Sequence, residues 1–416
     1  MTLSPKRFVV FMAFSCCVFS LIAFAQSWPQ WRGPNRDGFT ADEWMASNWP
    51  DSLTTLWRVQ VGAGYGSPVA QDGKAWLLTR RDELEYVSCF DLKNGNVLWQ
   101  QSYPAPFNTN QYATRFGKGP FSTPTLADGR LYTLGVGGIV TCFDAETGEV
   151  LWRKSFTDGP PDSKTFFSGS SMAPLIDGER CIVHIGDDSY GALTAYHKET
   201  GAEIWKWQGD NPGYASPIVV EIDGVRQIVT LAQSHVIGVA VQTGELLWKI
   251  PFTSEWRENM PTPVLYNGMV IYSGVGRGVT AVTPKRGASG WTIEQQWHTD
   301  EVGMYMSSPV LVGDLLFGLS HFNKGQFFCL DAGSGKVLWL SEGRQGQNAS
   351  IVKSGDFLLC LTTEAVLSVA KADSAAFQPV KSYRVAGSPT WATPVYFENK
   401  ILLKDRDSLM LLQKTN

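Results

Sequence analysis

The sequence predicts an all-β chain closed into an eight-bladed β-propeller of four-stranded antiparallel blades. Three observations predict it. First, Cys142-Phe143-Asp144-Ala145-Glu146-Thr147-Gly148-Glu149-Val150-Leu151-Trp152 reads as a hairpin, an apolar run ending in Asp, a Thr-Gly turn, and a second apolar run ending in Trp. Close copies run from Cys89 to Trp99 and from Cys329 to Trp339, and looser ones from Tyr196 to Trp205 and from Val241 to Trp248. Second, the terminal aromatics Trp57, Trp99, Trp152, Trp205, Trp248, Trp297, Trp339 and Tyr383 are separated by 42, 53, 53, 43, 49, 42 and 44 residues. A period of this size, with about four short strands per unit, is that of a propeller blade. Third, a small-small-Pro element precedes each unit, as in Gly66-Ser67-Pro68, Ser122-Thr123-Pro124, Met172-Ala173-Pro174, Ala215-Ser216-Pro217, Pro261-Thr262-Pro263, Ser307-Ser308-Pro309 and Ala392-Thr393-Pro394, with Ala349-Ser350-Ile351 as the variant copy.

Taken in order, residues 1–25 read as a signal peptide: Lys6 and Arg7 precede the apolar stretch Phe8 to Ala23, and Ala23-Phe24-Ala25 is a small-x-small cleavage site before Gln26. Export to the periplasm or beyond is the expectation. A lipoprotein reading through Cys16 is weaker, because Phe14 is bulky for a lipobox. No other apolar run approaches the ~18 residues of a spanning helix. Removing two cations from a chain of net charge −4 leaves about −6, and no basic stripe exists to hold nucleic acid. Five cysteines remain (Cys89, Cys142, Cys181, Cys329 and Cys360); three of them share one repeat position, too far apart for disulfides, so they read as small buried hydrophobes.

Residues 26–52, with Trp28-Pro29-Gln30-Trp31-Arg32-Gly33-Pro34, have aromatics and turn formers but no periodicity. They read as a cap segment in which Trp28, Trp31, Trp44 and Trp49 cover apolar surface; a recognition segment is the other reading. Residues 53–416 hold the propeller. The eighth unit, from Ala392, ends without a Trp-bearing outer strand, while Thr55-Leu56-Trp57 has no blade before it. The N-terminal strand therefore completes the last blade, which removes the free edges of an open array.

Three long loops lead into innermost strands: Asn108 to Pro120, the stretch around Asp158-Gly159-Pro160-Pro161-Asp162, and Glu255-Trp256-Arg257-Glu258-Asn259-Met260. They are expected on one face, around the channel mouth. The residues just before the small-small-Pro elements are Tyr65, Phe121, Ser171, Tyr214, Met260, Met306, Asn348 and Trp391. These form a collar that could bind a flat ligand or a peptide, or could pack against neighbouring loops. Blade five lacks the Asp and Thr-Gly turn, having Pro284-Lys285-Arg286-Gly287, and blade seven has Lys371-Ala372-Asp373-Ser374 and no Trp.

The repeat resembles the pyrroloquinoline-quinone (PQQ)-like β-propeller family over residues 53–413. That family's tryptophan-docking motif, roughly Ala-x-Asp-x-x-Thr-Gly-x-x-x-Trp, places the Trp between neighbouring blades. The resemblance implies that role for Trp57, Trp99, Trp152, Trp205, Trp248, Trp297 and Trp339. Quinoprotein dehydrogenases share the repeat with non-catalytic relatives such as BamB, the propeller lipoprotein of the outer-membrane assembly machinery. The opening Trp-Pro-x-Trp-Arg-Gly-Pro resembles a subset of exported PQQ-like repeat proteins. A quinoprotein needs a calcium site of Glu, Asn and Asp, an Asp base, and often a vicinal Cys pair; the only vicinal pair is Cys16-Cys17, inside the signal peptide. Glu258, Asp300 and Glu301 near the mouth do not assemble into a ligand set. Cys-x-x-Cys-His, a full phosphate loop around Gly333-Ser334-Gly335-Lys336, a nucleophile elbow and a local zinc spacing among His184, His197, His235, His298 and His321 are all missing.

The resulting expectation is an exported, non-catalytic module that binds envelope proteins through the channel-mouth residues Tyr65, Arg115, Phe121, Tyr214, Arg257, Met306 and Trp391, with no metal. Apolar anchors beside Arg are what an interface centre uses. The alternatives are a PQQ- and calcium-dependent oxidoreductase and a carbohydrate or polymer binder.

Overall fold

The computed structural model describes residues 27–40, 49–155, 168–187, 189–254 and 256–414. The segment read as a signal peptide, the stretch around Asp158 to Asp162, Trp44 and Glu255 lie outside the described residues. Eight sheets are arranged as blades, seven of them numbering inner to outer strand in chain order. Blade one is Val69–Gln71, Lys74–Arg81, Leu84–Asp91 and Val97–Pro104. Blade eight is Val395–Phe397, Lys400–Lys404 and Ser408–Lys414, closed by Leu53–Gln60 running antiparallel to Ser408–Lys414 with Trp57 opposite Leu411. Closure by the N-terminal strand is thus as expected. Blade seven carries a fifth strand, Phe39–Thr40, parallel to its inner strand Ala349–Ser354.

The core lies between blades. Each apolar slab combines neighbours, for example Val69, Trp76 and Cys89 of blade one with Leu131 and Phe143 of blade two, and Leu193 and Trp205 of blade three with Ile237 and Val239 of blade four. The second and third strands of the blades are therefore buried on both faces and read as apolar runs. The outer strands alternate, as in Val150–Ser155. The five cysteines are buried and unpaired, as their strand positions imply.

Each outer strand contains a β-bulge, in seven of the eight immediately before the terminal Trp: Leu98 is extra between Val97 and Trp99, and Leu56 between Thr55 and Trp57. The same irregularity occurs in all eight blades. A bulge re-aims a side chain and interrupts an edge. Here the Trp reaches the next blade, and six indole N–H groups donate across the joint: Trp57 to Leu92 O (2.9 Å), Trp99 to Ala145 O (3.0 Å), Trp152 to Lys198 O (2.8 Å), Trp205 to Val241 O (3.0 Å), Trp297 to Ala332 O (3.0 Å) and Trp339 to Asp373 O (3.0 Å). In five of these joints the Trp stacks over the turn glycine of the next blade. A Cβ on Gly148, at φ 77°, would stand 2.6 Å from Trp99. The Asp of the turn is fixed too: Asp144 accepts from the Glu146 and Thr147 amides and the Thr147 hydroxyl, which holds its carboxyl below the usual range. His197 fills this position in blade three and accepts from the Glu199 amide.

Trp248 departs from the docking pattern. Blade five offers no Thr-Gly turn, and the Trp248 N–H donates to Gln227 Oε1 of its own blade (2.6 Å), although the ring still packs with Val270 and Tyr272 of blade five. At the joint between blades seven and eight the expected Tyr383 does not stand in the Trp register: the bulge at Val380 puts Lys381 there, and Tyr383, two residues on, donates its hydroxyl to Pro50 O (2.7 Å).

Candidate functional site

Propeller inner strands converge on the axis, so only short side chains fit at their start. The small-small-Pro elements supply them, and their hydroxyls link the blades. The Thr393 amide donates to Ser67 Oγ (2.7 Å), the Ser67 amide to Thr123 Oγ1 (3.0 Å), the Ala173 amide to Ser216 Oγ (3.0 Å) and the Thr262 amide to Ser308 Oγ (2.9 Å). This rim fixes the residue before each element.

Residues 27–40 do more than cover one face, because they enter the ring. Trp28 exchanges backbone hydrogen bonds with Ala70 of blade one, and Pro29 O accepts from Leu126 of blade two. Arg36 donates to Ala173 O and Pro174 O of blade three (both 3.1 Å), Trp31 Nε1 to Thr262 Oγ1 of blade five (3.3 Å), and Arg32 Nη2 to Pro309 O of blade six. Gly38 O accepts from Lys353 of blade seven, and Trp28 meets Tyr396 of blade eight edge-on. Contact with seven blades places the segment on the axis as a plug. Arg32 and Arg36 are 3% and 4% exposed, and burial lowers their pKa values to about 10 and about 9.

Above the plug the collar surrounds one cavity of about 150 Å³. Tyr65, Phe121, Ser171, Tyr214, Met260, Met306 and Trp391 all line it, and Trp31 forms part of its wall. Five of the seven expected site residues therefore come together. Phe121, Tyr65, Trp391 and Phe116 form an aromatic arc: Tyr65 stacks on Phe121 (6.1 Å) and tilts against Trp391 (5.8 Å), while Phe116 meets Trp391 edge-on (5.4 Å). Phe116 belongs to the long loop after blade one, which reaches across the mouth to blade eight. Burial raises the Tyr65 phenol pKa.

Arg115 and Arg257 do not line this cavity. Arg115 is exposed, its guanidinium 4.6 Å above the Phe116 ring. Arg257 is exposed with a left-handed backbone (φ 59°), one residue before the buried Glu258. Glu258 accepts from the Tyr305 hydroxyl; burial raises the carboxyl pKa, and the hydrogen bond from Tyr305 and the charge of Arg115 pull it back. Burial and Glu258 together raise the Tyr305 phenol. This pair joins two loops that sequence spacing cannot pair. Exposed aromatics stand outside it: Trp256, edge-on to Tyr305 at 6.5 Å, and Tyr112 of the loop after blade one. Asp300 bonds His298, so the three carboxylates named at the mouth do not converge. Among the described residues, no group of three or more His, Cys, Asp or Glu side chains is placed to hold a metal ion, and no helix is long and apolar enough to cross a membrane.

What the arrangement offers chemically is an apolar, ring-sized recess with an aromatic and cationic rim. A cavity near 150 Å³ accommodates a benzene-sized group.

A sequence profile described as outer membrane protein assembly factor BamB matches residues 83–341. The BamB protein of Shewanella oneidensis is 22% identical over 68% of this chain, and the match spans 60% of that protein's own length. Among solved structures, BamB from Moraxella catarrhalis has a TM-score of 0.62 at 14% identity, covering 87% of this chain and 98% of that one. The quinohemoprotein alcohol dehydrogenase of Comamonas testosteroni has a TM-score of 0.67 at 13% identity, covering 93% of this chain and 80% of that one. At such identities the structural likeness speaks for the fold alone.

Proposed function

The chain belongs to the family of the outer membrane protein assembly factor BamB, and from that premise we propose that it is an exported, non-catalytic propeller that binds envelope proteins through the collar face. One observation carries the reading. Seven blades each send a side chain to one apolar recess, and six of those side chains are aromatic or Met. Aromatic and Met side chains with Arg at the edge are the composition of a protein-binding centre. The recess is sized for a single aromatic or aliphatic anchor from a partner, and Trp256 and Tyr112 extend the contact outward. The relatives' name, with its reference to outer membrane protein assembly, supports an envelope partner.

PQQ with calcium does not fit these residues. A tricyclic tricarboxylate exceeds a ring-sized recess, the plug occupies the axis below it, and among the described residues no carboxylate set converges there. A polymer or carbohydrate ligand is left to the experiment.

A photoreactive phenylalanine analogue placed at position 256 should cross-link to envelope proteins in intact cells, and Trp391→Ala in the same chain should reduce the yield. Calorimetric titration with PQQ, with and without calcium, should give no binding, and dye-linked alcohol oxidation no turnover. Calcium-dependent quinone binding with turnover would overturn the reading.

A further inference from the structure

A second, smaller cavity of about 30 Å³ lies beside the collar recess and shares Trp31, Met306, Ser308 and Trp391 with it. Its other lining residues include Arg32 of the plug and Asn348 and Ser350 at the start of blade seven. Three of the polar atoms these residues carry meet no hydrogen-bond partner among the described residues: Arg32 Nη1, Asn348 Nδ2 and Ser350 Oγ, all buried. Arg32 Nη2 donates to Pro309 O and to Asp37 O (3.1 Å), and Asn348 Oδ1 accepts from the Met306 amide (3.2 Å). The residues carrying these two N–H donors and one hydroxyl, able to donate as well, thus border one space, and among the described residues no carboxylate lines it.

We infer that this cavity binds one small monovalent anion, of the halide class, held by Arg32 Nη1, Asn348 Nδ2 and Ser350 Oγ. Space and chemistry agree. The volume suits a single monatomic ion or one water, since ~10–15 Å³ is the least that a water needs. Unpaired buried N–H donors are costly, and a buried guanidinium without an anion more so. Arg32 and Arg36 bring two cations onto the axis, both bonded to neutral carbonyls; among the described residues the carboxylate that acts on Arg32 is Asp37, which is only partly buried. Burial lowers the pKa of both arginines; the charge of Arg32 lowers that of Arg36 further, while Asp37 raises that of Arg32. A water would satisfy the geometry but leave the charge; an anion answers both. Because Arg32 comes from the plug and Asn348 and Ser350 from the wall, the ion would fasten one to the other beside the collar.

The test uses the full protein. Crystals soaked in sodium bromide should show an anomalous peak between Arg32, Asn348 and Ser350. At fixed ionic strength, replacing gluconate by chloride should raise Tm by roughly 2–5 °C, as a ligand of the native state does. Asn348→Asp places a fixed carboxylate beside Arg32, and its Tm should no longer respond to chloride. Ser350→Ala, which leaves charge and backbone intact, should weaken the apparent chloride affinity by roughly tenfold, as loss of one hydrogen bond to a charged group does. A water without anomalous signal together with a Tm indifferent to chloride would overturn the inference, as would full chloride sensitivity in both variants.

Discussion

Two concentric rings of the molecule use repetition in opposite ways. In the outer ring the same residue makes the same kind of bond: six tryptophans, each re-aimed by a bulge, donate to a backbone carbonyl at the hairpin turn of the next blade. In the inner ring the position repeats and the residue changes, running Tyr65, Phe121, Ser171, Tyr214, Met260, Met306, Asn348 and Trp391. A joint has one geometric solution, so it takes one side chain. A collar residue faces open space, so its backbone is fixed by the hydroxyl rim and its side chain is free to suit a ligand. The joint between blades four and five is the exception: there the hairpin of Val279–Gly287 and Gly290–Thr299 runs on past the turn position, and Trp248 bonds within its own blade.

The comparison predicts that outer-ring changes act on stability and inner-ring changes on binding. The largest effect is expected for Trp205→Ala, which removes a buried indole and its bond to Val241 O. Chemical denaturation should show a loss of about 3–5 kcal/mol. A loss below ~1 kcal/mol would break the comparison.

Acid tests whether the joints alone hold the ring. His184 lies on the second strand of blade three, 5% exposed, with Nε2 3.1 Å from Asp210 O. Burial lowers its pKa from 6.5 to about 4. The unfolded chain therefore takes up a proton first as pH falls. The stability is fully present above pH 6.5 and is lost between 6.5 and about 4, by up to roughly 3 kcal/mol. His184→Asn should flatten that slope in denaturation curves recorded across this window.

Two glycines of blade four sharpen the comparison further. Gly224 and Gly244 have nearly equal φ, 71° and 72°, but a Cβ on Gly224 meets nothing within 4 Å, while one on Gly244 meets Trp205 at 2.5 Å. Gly224→Ala should cost about 1 kcal/mol for the left-handed backbone alone, and Gly244→Ala about 2–4 kcal/mol because the joint must open as well. Equal losses would show that the indole gives way freely. The smallest stability effect is expected in the collar. Trp391→Ala, at a partly exposed ring, should cost under about 1 kcal/mol yet reduce cross-linking from position 256.

The sequence alone determined the wall. Blade number, the turn Asp and Gly, the Trp marks and the closing strand Leu53–Gln60 are local patterns with a fixed period, and a hairpin's own chemistry carries them. The collar was legible for the same reason: a residue one step before a repeated element occupies a repeated place, and five of the seven named site residues line the recess. Arg115 and Arg257 were placed at the mouth by loop position, but where a loop side chain points depends on neighbours from other blades. Tertiary structure alone decided the rest. The Glu258–Tyr305 pair joins loops 47 residues apart. The plug carries no period at all; its path follows carbonyls of strands far away in sequence, such as Pro174 O and Pro309 O. Trp31 and Arg32 differ from surface residues only in what surrounds them, and that surrounding exists only once the ring has closed.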